Sequence, residues 1–90
     1  FGFVLGSAPL ALVLRVDPSA VPGVLEAPLS RDQRATPEPD GWLRIEATVA
    51  DTQALRTWIL GFGPLAEVLA PPTLRADIAT RAQALAARYA

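Results

Sequence analysis

The stretch Thr57–Arg75 constrains the fold more than any other part of the chain. A helical apolar pattern runs into Gly61 and Gly63, and the short apolar run Ala66–Leu69 follows them. Glycine ends helices because it adopts left-handed backbone conformations at little cost. The pair Pro71–Pro72 then suits the first turn of another helix, where a missing N–H costs nothing. We therefore predict the order helix, strand, helix, with the glycines ending the first helix in a left-handed cap.

Alternating apolar residues predict two strands upstream. Leu10–Val16 places its larger apolar residues at every second position, and Trp42–Val49 places Leu43, Ile45, Ala47 and Val49 on one face. Between these strands, Pro and Gly interrupt the helical spacing over Ser19–Leu29, which predicts a short or irregular helix. A weak strand is expected around Gln33–Ala35. The turn Glu38–Gly41 ends in Asp-Gly, a strong signal for a hairpin.

Two helices are predicted in the second half of the chain. Asp51 is a suitable N-cap for the first, whose apolar stripe consists of Leu55, Trp58, Ile59 and Phe62. This spacing favours core packing of Trp58 and Phe62 over a role in lining a ligand pocket. The last helix has the stripe Leu74, Ile78, Leu85 and Tyr89, and Asp77 and Arg81 are spaced for an ion pair.

The predicted fold is α+β, a ferredoxin-like βαββαβ arrangement with an added C-terminal helix. Such a fold covers one face of a four-stranded sheet with helices and leaves the other face open. A chain of 90 residues forms one such domain, which we place at residues 10–90. Because residues 1–9 are rich in Gly and Pro and no Met is present, we expect them to be a connector from a preceding domain.

Composition argues against several functional classes. The net charge of -1 gives no overall attraction to nucleic acid, and His and Cys are both absent. The few carboxylates lack the spacing of a calcium loop. We therefore expect no enzyme, no metal and no cofactor. Charges and prolines interrupt every apolar run, so we expect no membrane association, and a cytoplasmic location agrees with the lack of Cys.

The second half of the chain resembles the C-terminal extension (WCX) domain of bacterial WYL-domain transcriptional regulators. The resemblance is close over Asp51–Tyr89 and looser over Leu10–Val49; the prolines and glycine of Val21–Leu29 depart from it. The residues that carry it are Leu55, Trp58, Gly61-Phe62-Gly63-Pro64, Ala66-Glu67-Val68-Leu69, Pro71-Pro72, Leu74-Arg75, Ile78 and Tyr89. These residues are mostly apolar and mark a fold, so no catalytic or binding role is carried over with them.

The resemblance implies a module of a DNA-binding regulator that works in dimerisation and effector sensing. Residues 1–9 would then connect it to a preceding WYL domain. The expected partners are a second copy, in a homodimer, and nucleic acid bound through the full-length regulator. Duplex DNA would contact the N-terminal domain, and a single-stranded DNA effector is a further candidate. The alternatives are a module that holds single-stranded nucleic acid or a small anion on its open sheet face, and a structural cap without a partner.

Trp42 has three interpretations. Its position in the strand places it on the polar face with Arg44 and Glu46. An aromatic side chain beside Arg is typical of a base-stacking site and also of an interface hot spot. The third interpretation is that Trp42 packs on the C-terminal helix at the end of its strand.

Three arginines are expected near Trp42 if the strands pair as proposed. Arg15, Arg34 and Arg44 together would form an anion site. Ordinary cross-strand ion pairs are the competing explanation, and the one we favour, because Glu46 and Glu67 share nearly the same parity. Val13 adds a small apolar spot to this face, as expected of an interface. The candidate ligand or interface residues are therefore Val13, Arg15, Arg34, Trp42 and Arg44.

Overall fold

The computed structural model describes residues 8–90 as a four-stranded antiparallel sheet with three α-helices. The predicted elements are present in the predicted order. Their bounds are β1 (Pro9–Val16), α1 (Val21–Glu26), β2 (Arg34–Pro37), β3 (Leu43–Ala50), α2 (Gln53–Leu60), β4 (Ala66–Ala70) and α3 (Pro72–Arg88). The predicted connector lies almost wholly in residues 1–7, outside the described residues.

The strand order is β2-β3-β1-β4, with β1 between β3 and β4. The predicted hairpin is present, and the Glu38 N–H donates to the Trp42 carbonyl at 2.8 Å. Hydrogen-bonded and non-hydrogen-bonded pairs alternate along an antiparallel ladder. Since Glu38 and Trp42 form a hydrogen-bonded pair, the next pair, Pro37 and Leu43, is a non-hydrogen-bonded one. The nitrogen of Pro37 therefore faces away from β3, and the ladder needs no N–H there. This explains why proline is tolerated in an edge strand.

One face of the sheet forms the core with the helices. Leu12, Leu14 and Val16 of β1 are almost fully buried, as their alternation predicts. All the other strands and helices except β2, whose four residues are exposed, add buried side chains to this cluster, namely Val24, Ile45, Leu55, Ile59, Val68 and Leu74. Trp58 and Phe62 pack against this cluster, with their rings edge to face at a centroid distance of 4.8 Å. Their predicted core packing is confirmed.

The connection from β1 to β2 is irregular, as predicted. The Asp17 carboxylate accepts hydrogen bonds from the Ser19 N–H and hydroxyl and begins a 3-10 turn over Pro18–Ala20. α1 follows with only six residues and contributes Val24 to the core. Pro22 and Gly23 have low helix propensity, so the segment forms a short turn and a short helix in place of one long helix.

The predicted N-cap of α2 was wrong by one residue. Thr52, in an extended conformation, is the cap, and its hydroxyl accepts from the Leu55 N–H at 3.1 Å. The Asp51 carboxylate instead accepts from Arg56 at 2.7 Å. Because Arg56, one turn into the helix, binds the Asp51 carboxylate, the Thr52 hydroxyl is left to accept from the free Leu55 N–H.

The end of α2 also differs from the prediction. The helix stops at Gly61, but Gly61 has a right-handed φ of -64°. The left-handed residue is Gly63, with φ +59°, which lies beyond the helix in the turn that leads to β4. The helix therefore ends at the glycines, as predicted. The predicted left-handed cap is absent, because the residue that caps the helix, Gly61, is right-handed.

α3 packs along β4 and against α2, on the core side of the sheet. Arg75 donates to the Val68 carbonyl at 2.8 Å and so covers part of the exposed edge of β4. The predicted ion pair between Asp77 and Arg81 is present at 3.3 Å. No helix within residues 8–90 is long and apolar enough to cross a membrane.

The apolar stripe predicted for α3 is only half buried. Leu74 is 1% exposed and Ile78 packs against the core. Leu85 and Tyr89 are 53% and 85% exposed. A 17-residue helix is about 25 Å long by the standard rise, and the sheet supports only its first half.

Replacing Thr52 by Ala should lower the free energy of unfolding by about 1 kcal/mol, because the Leu55 N–H loses its capping hydroxyl. Urea denaturation followed by circular dichroism measures this loss. Thr57→Ala is the matched control, because Thr57 is exposed within the same helix and the change should be neutral or slightly stabilising. Equal effects of the two changes would argue against Thr52 as the cap.

Candidate functional site

The open face of the sheet brings the predicted site residues together. The register places Arg15 of β1 opposite Arg44 of β3 and Glu67 of β4. It also places Glu46 opposite both Val13 and Arg34. Residues directly opposite each other in an antiparallel sheet lie on the same face. Their roles as ligand or interface residues stay predictions.

Arg15 is the centre of this face, and its side chain is 24% exposed. Its guanidinium lies over the Trp42 ring, 4.4 Å from the centroid. It donates to the Asp40 carboxylate, and its Nε atom lies 3.4 Å from a Glu38 oxygen and 3.9 Å from a Glu67 oxygen. One arginine thus faces three carboxylates and an aromatic ring. We call these five residues the Arg15 cluster.

The β2–β3 turn positions two of the cluster's acids. Gly41 has a φ of +91°, which glycine tolerates, and it directs the turn back towards Trp42. The Asp40 carboxylate accepts from the Trp42 N–H at 3.0 Å. This backbone hydrogen bond, followed by the Arg15 guanidinium, lowers the pKa of Asp40. Sequence reasoning treated Glu38 and Asp40 only as a turn signal, although a tight hairpin brings both beside Trp42.

The other two candidate arginines, Arg44 and Arg34, differ in whether a carboxylate neutralises their charge. Arg44 donates to Glu46, two residues along the same strand, at 2.8 Å. Arg34 is exposed and has no ion-pair partner among residues 8–90. Of the three arginines predicted to form an anion site, two are therefore occupied by carboxylates. The favoured explanation, cross-strand ion pairing, agrees with the pair of Arg15 and Glu67, whereas Arg44 pairs with a carboxylate of its own strand.

A shallow depression of about 290 Å³ lies at the other end of this face. It is lined by Ala11, Leu12, Val13, Asp32, Arg34, Glu46, Ala47 and Thr48. Val13 lies in its floor, between charged neighbours. The depression combines an apolar floor with one cation and two carboxylates, so it offers no single charge to an anionic ligand.

Asp32 forms the rim of this depression and was not singled out by the sequence. Its carboxylate accepts from the Ser30 hydroxyl and from the Thr48 N–H, the latter at 3.0 Å. The Thr48 N–H lies beyond the end of β2, so the carboxylate takes the place of a strand partner. These hydrogen bonds, with Ser30 first, lower the pKa of Asp32 to about 2.

A second polar network joins α2 to α3 on the helix side. Arg56, whose side chain is 15% exposed, donates to Asp51, Asp77 and the Thr52 carbonyl at 2.6 to 2.8 Å. Asp77, with Asp51 after it, raises the pKa of the Arg56 guanidinium, and Arg56 in turn lowers the pKa of Asp77. The Asp51 N–H donates to the Ala8 carbonyl at 3.0 Å. The network therefore connects the backbone at Ala8, just before β1, with α3.

Residues 8–90 contain no group of three His, Cys, Asp or Glu side chains placed to hold a metal ion. The clustered carboxylates of the open face point at arginines, where they act as ion-pair partners. The arrangement can stabilise a surface and present an aromatic ring, but none of its groups is placed as a nucleophile beside a base.

The model of the WCX domain family matches residues 8–86, which is most of the chain. A comparison with curated proteins found no match.

Replacing Arg15 by Met should lower the free energy of unfolding by about 1 to 2 kcal/mol, because three carboxylates lose their counter-ion and Trp42 loses its stacking cation. Urea denaturation at low salt measures the change. The loss should shrink in 1 M salt, since salt screens the repulsion among carboxylates. Arg34→Met, on the same face, is the control and should change stability little. An equal loss in both variants would contradict the cluster's role.

Asp32 should contribute stability above pH about 4 that is lost as the pH falls towards 2. The reason is that its pKa is about 2 in the folded chain, against about 3.9 when unfolded, so acid protonates the unfolded state first. In Asp32→Asn, the free energy of unfolding should fall less steeply between pH 5 and 2. Denaturation at each pH tests this, with Glu26→Gln in exposed α1 as control. Identical slopes for wild type and Asp32→Asn would overturn the assignment.

Proposed function

Because the chain belongs to the WCX domain family, we propose that it is the dimerisation and regulatory module of a WYL-domain DNA-binding transcriptional regulator. It would couple effector sensing to DNA binding by domains N-terminal to it. This role needs a stable domain with a surface for a second copy and no chemistry of its own. A cytoplasmic location belongs to the same proposal, because bacterial transcription regulators work there.

We assign the fold to the ferredoxin-like class. The sheet order β2-β3-β1-β4, with helices after β1 and β3, supports this assignment. α3 is then the addition to the βαββαβ unit. In a domain of this class both the open sheet face and the added helix are available to partners.

The distribution of exposed apolar side chains carries the dimerisation proposal. Among the large exposed hydrophobic residues, Leu85 lies in the last turn of α3 and Tyr89 directly follows the helix. An exposed aromatic tip next to an exposed leucine is expensive in water and is typical of a protein interface. Two copies related by a twofold axis would bury the same patch twice and set the distance between two DNA-binding domains.

The alternative, a face that holds single-stranded DNA or a small anion, has less support. Nucleic-acid grooves depend on unpaired Lys or Arg beside aromatic rings. In the Arg15 cluster the guanidinium already covers the Trp42 ring and faces three carboxylates. Of the three candidate arginines, only Arg34 has no ion-pair partner among residues 8–90, and its neighbours Asp32 and Glu46 are acidic. Phosphates would therefore meet carboxylates on much of this surface.

Light scattering of this chain over a concentration series should show a mass that rises towards that of a dimer. In the same buffer, fluorescence anisotropy should show no saturable binding of a labelled single-stranded oligonucleotide. Trp42→Ala should leave both results unchanged, because its ring is occupied by Arg15. A monomer at all concentrations would contradict self-pairing, and oligonucleotide binding that Trp42→Ala abolishes would favour the alternative.

A further inference from the structure

The C-terminal half of α3 extends beyond the rest of the domain. Arg81, which donates to Gln53 and pairs with Asp77, makes the last polar side-chain contact between α3 and the domain. Every residue from Ala82 to Ala90 is exposed. The Tyr89 N–H still donates to the Ala86 carbonyl at 3.0 Å, so the backbone keeps a turn up to Tyr89. An ordered helical rod with apolar side chains thus projects from the domain.

One line of side chains along this rod has a heptad pattern. Ile78, Ala82, Leu85 and Tyr89 are separated by four, three and four residues, the spacing of successive d and a positions in a coiled coil. This spacing is the same when read in either direction. Two antiparallel copies therefore place Ala82 beside the partner's Leu85, and Ile78 beside the partner's Tyr89. Each layer joins a larger side chain to a smaller one, which allows close packing.

A groove lies between β4 and α3, beside Ile78, where this pairing would place the partner's Tyr89. It has a volume of about 200 Å³ and is lined by Ala66, Glu67, Val68, Arg75, Ile78 and Ala79. Ile78 and Ala79 form its apolar wall, while Arg75 and Glu67, which pair at 2.9 Å, lie at its polar rim. A tyrosine needs this combination, since its ring is apolar and its hydroxyl needs a polar partner. The groove and the heptad pattern are independent observations that agree in position.

We propose that α3 pairs antiparallel with α3 of a second copy, and that each Tyr89 inserts into the groove between β4 and α3 of its partner. This inference rests on the proposed dimerisation and names its surface. The occupant is a second copy because the stripe is complementary to itself. Arg88 is the one charged side chain in residues 82–90, so the rod offers little charge for a nucleic acid or a membrane to recognise.

The contact is short, so the dimer should be weak. About 12 residues of each helix take part, which at 1.5 Å per residue is an overlap of roughly 18 Å. Such a contact falls below the interface area of tight complexes, and dissociation should be measurable at micromolar concentrations or above. In a longer protein, additional contacts would act together with it.

The pairing also predicts one unfavourable contact that can be reversed. Arg81 and Arg88 occupy the g positions that flank the seam, and in an antiparallel pair Arg88 approaches the partner's Arg81. Like charges in this arrangement repel. Arg88→Glu would turn both repulsive contacts into ion pairs, so it should strengthen the dimer, whereas Arg88→Lys should leave it unchanged.

Sedimentation equilibrium of this chain and its variants tests the proposal. Tyr89→Ala and Leu85→Ala should each weaken dimerisation at least about tenfold, because a twofold axis repeats each loss. Both residues are exposed, so the fold should remain, as circular dichroism can verify. Ala87→Gln changes the opposite side of the helix and is the control, with no expected effect. Arg88→Glu should tighten the dimer about threefold to tenfold at low salt.

The outcomes separate this inference from the proposed function. A dimer that survives Tyr89→Ala and Leu85→Ala, or that Arg88→Glu does not strengthen, would overturn helix pairing while leaving dimerisation intact. A wild-type chain that stays monomeric at all concentrations would contradict both. Weakening by Tyr89→Ala and Leu85→Ala together with strengthening by Arg88→Glu would support the antiparallel arrangement, since in a parallel pair g positions face e positions and Arg88 does not approach the partner's Arg81.

Discussion

The structure depends on β1, which lies between β3 and β4 in the sheet and contributes three side chains to the core. Its alternation sends Leu12, Leu14 and Val16 into the core and Arg15 to the open face. The same backbone therefore holds the packing of the domain and the centre of its charged surface. Because a shift by one residue would exchange these two faces, the register of β1 couples stability to surface chemistry.

The open face illustrates how a surface can contain three arginines and a half-buried aromatic ring without being basic. Arg15 is held by carboxylates from two different directions, the β2–β3 turn and strand β4. Such an arrangement fixes the end of the hairpin to the opposite edge of the sheet. The ion pairs lie partly in solvent, so their value is geometric more than energetic. They hold the guanidinium over the Trp42 ring, 4.4 Å from its centroid, which removes one face of the ring from other partners.

Much of the fold could be predicted from periodicity, because apolar alternation and helical spacing report burial directly. The strands, the irregular segment around α1 and the core positions of Trp58 and Phe62 follow from it. The N-cap of α2 could not be predicted, since Asp51 and Thr52 are both good caps. The choice depends on Arg56 and Asp77, which meet only in three dimensions. The places of Glu38 and Asp40 beside Arg15 and the role of Asp32 were missed, because residues of turns and loops show no periodicity, whereas Glu67 could be expected from its parity in a strand.

The last helix carries an apolar stripe that is longer than the domain can bury. The stripe runs from Leu74 to Tyr89, yet the domain covers only its first part. Alanine-rich sequence keeps the remainder helical without tertiary contacts, so helix formation itself needs no partner. Leu85 and Tyr89 are different, since neither improves on alanine in an isolated helix and both expose apolar surface. A pattern that the domain's own sheet is too short to bury is explained most simply by burial against another surface with the same periodicity.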